Sequence, residues 1–543
     1  MCGLFCVVQR GQPIDRQRLT AALRAMGHRG PDADGSVFIE SNFDGRPVHI
    51  GFGHVRLSII DPGDRSDQPF DRHGTTLVFN GEIYNYKEVR STLDAREDFS
   101  TDGDTEVLSE VLRAEGPDAV RRLSGQWAFV FYETGSRTLR MSRDRAGKKP
   151  LFLYQDRDML IVSSTIRAIS VYRNQGPSFN RDYLQGFLIY PQAPLPTWHT
   201  SYSDILQVPT STNASFDLSN WTLTGASYFE EDELVAPDPD ERALAQCLER
   251  AVQRRLVSDR PVGLLLSGGV DSTLILSILK HRGWDTKITC FVGDAGGSPD
   301  ADYAVRAART VGLNPVVVPI DYDRDAFNRF MQSCAHQERP FRPLGNLLAI
   351  PQLYEAIAET SIKVVLDGTG GDETFGGYWD RYFGFAVNEA IRRGDWPWLL
   401  STSVRNLPNA KRYASYLRRG LSGAMDRVDP ITLAPFGLDG ATRENPDVLA
   451  RIHSRFGEAL CRDIFNGRLQ DWLWQNDRNC MMYGIEARSP FLDAELLPYL
   501  RSGYRRKFKG PYNKYELRAV FDRFVPLPTQ WRTQKQGFRW SPE

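Results

Sequence analysis

Val262-Gly263-Leu264-Leu265-Leu266-Ser267-Gly268-Gly269-Val270-Asp271-Ser272 carries the most information in this chain. The apolar run 262–266 reads as a buried strand. Apolar residues at 270, 274, 275 and 278 have helical spacing, which predicts a helix over 270–280. A strand, a tight small-residue loop and a helix N-terminus make an anion-binding device. Glycines let the backbone approach the ligand, freed N–H groups point at it, and the helix dipole favours negative charge. The hydroxyls of Ser267 and Ser272 add donors, and Asp271 can hold a divalent cation through oxygen. The loop is therefore expected to bind a phosphate-bearing nucleotide. It is not a Walker A loop, because no Lys precedes the final Ser. The plainer alternative is an ordinary Gly-Gly strand–helix turn; two serines, two glycines and an acid at one strand-to-helix switch weigh against it.

Working outward, strand-like runs at 262–266, 288–292, 316–318 and 362–366 alternate with helical patterns. That order implies a parallel sheet covered by helices. Beyond about residue 380 the pattern is mainly helical. On the N-terminal side lie short alternating strands, and between the two parts 191–240 is rich in Pro, Ser, Thr and Asn and ends in an acidic run. It reads as a connection between domains. With 543 residues, two or more domains are expected: 2–205, a connection over 206–240, and 241–543.

The 67 basic and 68 acidic side chains balance, so no nucleic-acid partner is expected. No apolar run is long enough to span a membrane and no signal peptide is visible, so no membrane partner is expected either. Seven cysteines without a CxxC pair point to reduced thiols in a cytoplasm rather than to disulfides or structural zinc.

The second device is the N-terminus. Removal of Met1, the ordinary fate of a Met before a small residue, exposes Cys2 with a free α-amine. That amine titrates near 8, so a fraction is unprotonated near neutrality and can take the thiol proton. One residue would supply nucleophile and base. The alternative is a small apolar residue starting a strand.

Five further motifs follow in order: His28-Arg29-Gly30-Pro31-Asp32; Gly53-His54-Val55-Arg56-Leu57-Ser58-Ile59-Ile60-Asp61; Phe79-Asn80-Gly81-Glu82-Ile83-Tyr84-Asn85; Thr101-Asp102-Gly103-Asp104-Thr105-Glu106; and Arg143-Asp144-Arg145-Ala146-Gly147-Lys148-Lys149-Pro150-Leu151. Together with Cys2 they resemble the class II glutamine amidotransferase domains, which are N-terminal-nucleophile hydrolases. The resemblance implies an α+β, αββα sandwich over the first domain. It implies glutamine held by Arg56, Ile59, Ile60, Asn80, Gly81, Glu82 and Asp104. Arg56 would clamp the α-carboxylate with a bidentate fork, and Asp104 would pair with the ammonium. Asn80 and the Gly81 N–H would donate to the oxyanion formed when the Cys2 thiolate attacks the amide. Taken singly, Arg56 and Asp104 read as solvated charges and Asn80-Gly81 as a hairpin turn after 77–79.

The loop at 267–272 is similar to that of the ATP pyrophosphatases. A glutaminase domain followed by such a loop resembles glutamine-hydrolysing asparagine synthetase. Leu366-Asp367-Gly368-Thr369-Gly370-Gly371-Asp372-Glu373-Thr374-Phe375-Gly376-Gly377-Tyr378, Asp477-Arg478, a helical signature at Gly484-Ile485-Glu486-Ala487-Arg488-Ser489-Pro490, Lys514-Tyr515-Glu516-Leu517-Arg518 and Lys535-Gln536-Gly537-Phe538 extend the resemblance through the chain. It implies an α/β parallel-sheet domain with a helical C-terminal part. ATP would be held by Leu266, Ser267, Gly268, Gly269, Asp271, Ser272, Val292, Asp367 and Gly368, with Mg²⁺ on Asp271 and Asp372. Lys514 would act catalytically, neutralising charge as AMP leaves.

The expected reaction is ATP-dependent amidation of a carboxylic acid, aspartate by resemblance, through an acyl adenylate and with ammonia from glutamine. Two departures stand out. Thr369 occupies a position where asparagine synthetases usually carry Glu, and Thr165 one where the family commonly carries Glu. Glu338 is a further acidic candidate. Thr369 leaves open a different acid from a specialised biosynthetic pathway. A catalytically silent nucleotide-binding scaffold is a remote alternative, and self-association into a homodimer is left open.

Overall fold

The computed structural model describes residues 2–93, 98–184, 198–229, 234–238, 240–322, 324–340, 345–406, 413–415 and 455–533. The tail motif at 535–538 lies outside them.

Strand β1 (Gly3–Arg10) shows why the N-terminal half takes its layered form. Alternate side chains of a strand point to opposite faces, and here both faces are apolar. Leu4, Cys6 and Val8 pack into one core with Phe52, Val78, Ala128 and Val130. Phe5 and Val7 pack into another with Leu19, Leu23, Ile166 and Ile169. A strand buried on both sides needs a sheet under one face and helices over the other. With β2 (Ala33–Phe43), β3 (Arg46–Arg56), β8 (Phe152–Gln155), β9 (Met159–Ser163) and β10 (Leu206–Gln207) it forms a sheet of order β10-β8-β9-β1-β3-β2. The second sheet, β12-β11-β7-β6-β5-β4, is built from β4 (Phe70–Arg72), β5 (Thr75–Ile83), β6 (Gly125–Glu133), β7 (Thr138–Arg143), β11 (Thr212–Asp217) and β12 (Thr222–Ser227).

Helices α1 (Arg16–Ala25) and α4 (Ile166–Arg173) cover the first sheet. Helices α2 (Tyr86–Thr92) and α3 (Asp104–Glu115) cover the second, where Val107, Leu108 and Val111 meet Phe79, Phe129 and Phe131. This is the expected αββα sandwich. One expectation is corrected: 206–227 is no connection. β10 pairs with β8, and β11 pairs with β7 and β12, so the stretch completes both sheets. Its Thr- and Ser-rich composition suits an edge hairpin as well as a loop, because one face of β12 is solvated.

The second half holds the predicted parallel sheet: β13 (Val262–Leu265), β14 (Ile288–Asp294), β15 (Val316–Pro319), β16 (Val364–Leu366) and β17 (Glu486–Arg488), in the order β15-β14-β13-β16-β17. β17 is a second correction. The segment 484–490, expected as helical, supplies a fifth parallel strand beside β16. Its polar, charged residues gave no strand pattern, yet Glu486 and Arg488 are fully buried because ion partners surround them. Chain order reverses between β13 and β16, so a crevice opens beyond their carboxyl ends, the usual ligand position in such sheets. The helix Val270–His281 begins in that crevice and is buried all round through Leu279. Helices Trp379–Arg392, Phe456–Phe465 and Arg468–Met481 form the helical part around Phe383, Phe456, Leu460 and Phe508. No helix among the described residues is long and apolar enough to cross a membrane.

Asn80-Gly81 is not a turn. Both residues lie inside β5, opposite Ala128 and Trp127 of β6. A Cβ on Gly81 would stand 2.0 Å from the Gln126 carbonyl oxygen and 2.8 Å from Trp127 Cα, both backbone atoms. Gly81→Ala is therefore expected to destabilise the fold by about 3 kcal/mol. A thermal midpoint equal to that of the parent would refute this account of β5 and β6.

Candidate active site

Cys2 precedes β1 and is buried. Its N–H donates to Asn80 Oδ1 (3.0 Å), and its carbonyl accepts from Arg29 Nε (3.1 Å). Asn80 Nδ2 lies 3.4 Å from Ser164 Oγ, which also accepts from Leu4 N (3.1 Å). Ser164 thus supports Asn80, a role that nothing in its local sequence announced. Gly30 lets this corner close: its Cβ position lies 2.3 Å from the Val55 carbonyl carbon, so only glycine brings Arg29 against β3. Burial pushes the Cys2 thiol above its usual range, with the chain's amino terminus and Arg56 pulling the other way.

Arg56 ends β3 and is committed to the loop that follows. Its Nη1 donates to the Gly63 carbonyl and to Asp67 Oδ1 (both 2.7 Å), and its Nη2 to the carbonyls of Asp61 (2.6 Å) and Ile60 (3.3 Å). The fork expected to meet a carboxylate therefore shapes the loop carrying Ile59 and Ile60. Asp104 opens α3 and accepts from Ile83 N (2.8 Å). Burial raises its carboxyl to about 6, against the pull of the backbone N–H bonds it accepts. Glu82 is raised further, by burial and by the neighbouring Asp104 and Glu486.

Behind these acids runs a line of buried charge shared between the halves. Arg488 Nε donates to Glu486 Oε1 (2.6 Å), and Arg488 Nη2 lies 3.8 Å from Glu82 Oε2. Lys149 Nζ is 3.6 Å from Glu486 Oε2. Next to Lys149, the Lys148 ammonium donates to Ser489, whose hydroxyl donates to Asp367 Oδ1 (2.6 Å).

Asp367 follows β16 and marks the second half-site. A cavity of about 240 Å³ opens at the ends of β13 and β16, walled by Ser267, Asp271, Asp367, Gly368, Thr369 and Asp372. Gly268 has φ +66°, and a Cβ there would lie 2.1 Å from the Asp300 carbonyl oxygen, so the loop requires glycine. Ser272 Oγ accepts from Ser267 N and meets Ser267 Oγ (both 3.1 Å), which folds the loop onto its own helix N-terminus. Gly368 and Gly371 pack against Asp271, at 2.9 and 2.7 Å from their Cβ positions. Lys514 Nζ reaches both Asp271 Oδ2 (2.5 Å) and Asp372 Oδ1 (2.6 Å). Burial lowers its pKa, but the two carboxylates more than offset this and hold it above the usual lysine range. Among the described residues no group of three or more His, Cys, Asp or Glu could hold a metal. The pair Asp271 and Asp372 nevertheless offers oxygen donors that fit a divalent cation, because both carboxylates converge on one ammonium.

Leu266 and Val292 are buried in the sheet core, while Leu265 faces the cavity. The sequence reading missed Trp472, Gln475, Asn476 and Asn479, which line the cavity from the helix Arg468–Met481. Their spacing, i, i+3, i+4 and i+7, is one helix face, a signal present in the sequence. Asn476 Nδ2 donates to Asp367 Oδ2 (2.8 Å). Thr165 caps α4 by accepting from Ala168 N (3.2 Å). Glu338 is engaged across the two halves, accepting from Arg167 N (2.7 Å) and from Arg478 Nη2 (3.1 Å).

Comparison with known proteins agrees with this two-domain layout. The chain is 29% identical to the glutamine-hydrolyzing asparagine synthetase 1 of Bacillus subtilis, over 97% of this chain and 85% of that protein. It is 25% identical to the glutamine-hydrolyzing asparagine synthetase B of Escherichia coli, over 99% and 83%, and 25% identical to the amidase chry2 of Gibberella zeae, over 94% and 83%. A model of the glutamine amidotransferase domain matches residues 1–228, and one of asparagine synthase matches residues 243–542. The chain belongs to the asparagine synthase family and is a glutamine-dependent amidotransferase of that kind.

Proposed function

We propose that this enzyme amidates a carboxylic acid through an acyl adenylate, with ammonia released from glutamine at Cys2. The observation that carries the reading is the pairing, in one chain, of a buried Cys2 cradled by Asn80 with a cavity where Asp271, Asp372 and Lys514 converge at the end of a parallel sheet.

In the first half-reaction the α-amine of Cys2 takes the thiol proton and the thiolate attacks the glutamine amide carbon. The oxyanion faces Asn80 and the Gly81 N–H; ammonia leaves, and water releases glutamate from the thioester. Asp104 pairs with the substrate ammonium, and Arg56 takes its α-carboxylate in place of a loop contact. In the second, an oxygen of the acid attacks the α-phosphorus of ATP and pyrophosphate departs. Ammonia then attacks the acyl carbon and AMP leaves, with the ammonium of Lys514 neutralising the charge that develops. Ser267, Ser272 and the N-terminus of the helix Val270–His281 hold phosphate oxygens. Asp271 and Asp372 would hold Mg²⁺, which supplies charge neutralisation to the departing pyrophosphate. Exclusion of water protects the adenylate.

Aspartate is the first acid to consider, given the names of the Bacillus and Escherichia relatives. Thr369 in the cavity wall supports a second reading, a different acid. A Thr hydroxyl is no base at neutral pH, so the proton of the attacking amine must leave by another route.

Pyrophosphate release with ATP, Mg²⁺ and glutamine is expected to require an acid. If aspartate turns it on and asparagine forms in step with AMP and glutamate, aspartate is the substrate; glutaminase activity with no aspartate-dependent pyrophosphate moves the choice to another carboxylate. Release of pyrophosphate with no acid tested would sink the amidation reading. Cys2→Ala is expected to abolish glutamine hydrolysis and keep ammonia-dependent AMP formation; surviving hydrolysis removes Cys2 as nucleophile. Because Asp104 is ionised only above about 6 and an ammonium binds the ionised form, KM for glutamine should rise as pH falls through that value, approaching about tenfold per pH unit below it. A KM flat between pH 7 and pH 5 would remove Asp104 from that role.

A further inference from the structure

Two hydrogen bonds hold the Cys2 backbone, and the donor of one of them is tied to the other half of the molecule. The bond from Cys2 N to Asn80 is internal to the sandwich. The bond accepted by the Cys2 carbonyl comes from Arg29, whose remaining donors form a fork on Asp477: Nη1 to Oδ2 (2.8 Å) and Nη2 to Oδ1 (3.1 Å). Both side chains are almost wholly buried, at 1% and 3% exposure. The backbone beside Arg29 packs closely on β3, since no side chain would fit at Gly30 against Val55. The position of the guanidinium, and hence its hold on Cys2, is therefore set by where Asp477 stands.

Asp477 stands on the helix Arg468–Met481, which walls the nucleotide cavity with Trp472, Gln475, Asn476 and Asn479. Its neighbour Asn476 is bonded to Asp367, and Arg478, which also touches Asp477 (3.2 Å), reaches Glu338. One rigid helix thus contacts the cavity with one face and the support of Cys2 with an adjacent residue. Any displacement of this helix would move Asp477 and, through the planar fork of Arg29, reach the Cys2 carbonyl.

We propose that Asp477 is a positioning residue for glutamine hydrolysis, holding Arg29 on the Cys2 carbonyl and making that hold depend on occupancy of the nucleotide cavity. The proposal rests on Cys2 being the nucleophile. It assigns no chemistry to Asp477, which acts through Arg29.

The test uses the full-length protein and ATP–Mg²⁺ as the synthetase-side probe. Glutamate release is measured against glutamine concentration with and without the probe. In the parent, ATP–Mg²⁺ should change kcat. In Asp477→Asn, kcat should fall about tenfold or more while KM for glutamine stays within about twofold, and the response to ATP–Mg²⁺ should vanish; Asp477→Glu should recover part of both. Quenching of tryptophan fluorescence by ATP–Mg²⁺, with Trp472 in the cavity wall, checks that the variant still folds. If it does not, Arg29→Lys carries the same test, because a lysine keeps the charge but cannot serve Cys2 and both Asp477 oxygens with one plane. A parent insensitive to ATP–Mg²⁺, or a folded variant that keeps the parent's kcat and response, overturns the proposal. Cys2→Ala assayed beside it separates the two claims. Hydrolysis surviving there overturns the nucleophile reading, whereas a dead Cys2→Ala with an unaltered Asp477→Asn overturns only the positioning role.

Discussion

Each half of this molecule carries buried charges that only the other half meets, and much of the architecture follows from that. Lys149 of the sandwich meets Glu486 of the parallel sheet, Glu82 meets Arg488, and Arg29 meets Asp477. All six side chains are nearly inaccessible to water. A charge withdrawn from water is costly unless a partner and hydrogen bonds surround it, and removing one member of such a pair is strongly destabilising. Separating the halves would therefore strand several ions at once. The apolar core reinforces the seam: Leu108 of α3 and Phe129 beneath it belong to one continuous cluster with Leu264 and Val365 of the parallel sheet.

The same seam runs beside both proposed sites. Asp104 and Glu82 face it from the glutaminase side, and Ser489 and Asp367 from the synthetase side. The crowding that raises the carboxyls of Asp104 and Glu82 also draws Glu486 far down between Lys149 and Arg488 despite its burial. Opposite shifts in adjacent acids are what burial produces when cations reach only some of them. In this arrangement the two half-sites are parts of one electrostatic unit.

Local devices were legible without coordinates because their physics is local. A strand, a Gly-rich loop and an amphipathic run specify β13, the turn at Gly268 and the helix that follows. The unbroken apolar run from Leu4 to Val8 suits a strand buried on both faces. The misreadings have equally physical causes. The strand β11 and its edge neighbour β12 carry Thr and Ser, which suit a solvated sheet face as readily as a loop. β17 is charged, and its side chains are met inside the sheet by each other and by groups distant in sequence, among them Lys149 and Glu82, more than three hundred residues away. The face Trp472, Gln475, Asn476 and Asn479 had the spacing of a helix stripe but no residue type that announces a ligand.

By itself the sequence determined the order of the two devices, the residue types each one offers and the layered class of each half, because periodicity, glycine placement and the position of Cys2 act over a few residues. Only the tertiary structure decided which groups share a site. Asp271 and Asp372 converge on Lys514, Arg56 turns inward to its own loop, and Asp477 comes to hold Arg29. These pairings bridge long stretches of chain, and the cost of leaving a buried charge without an opposite one favours them when the two halves close.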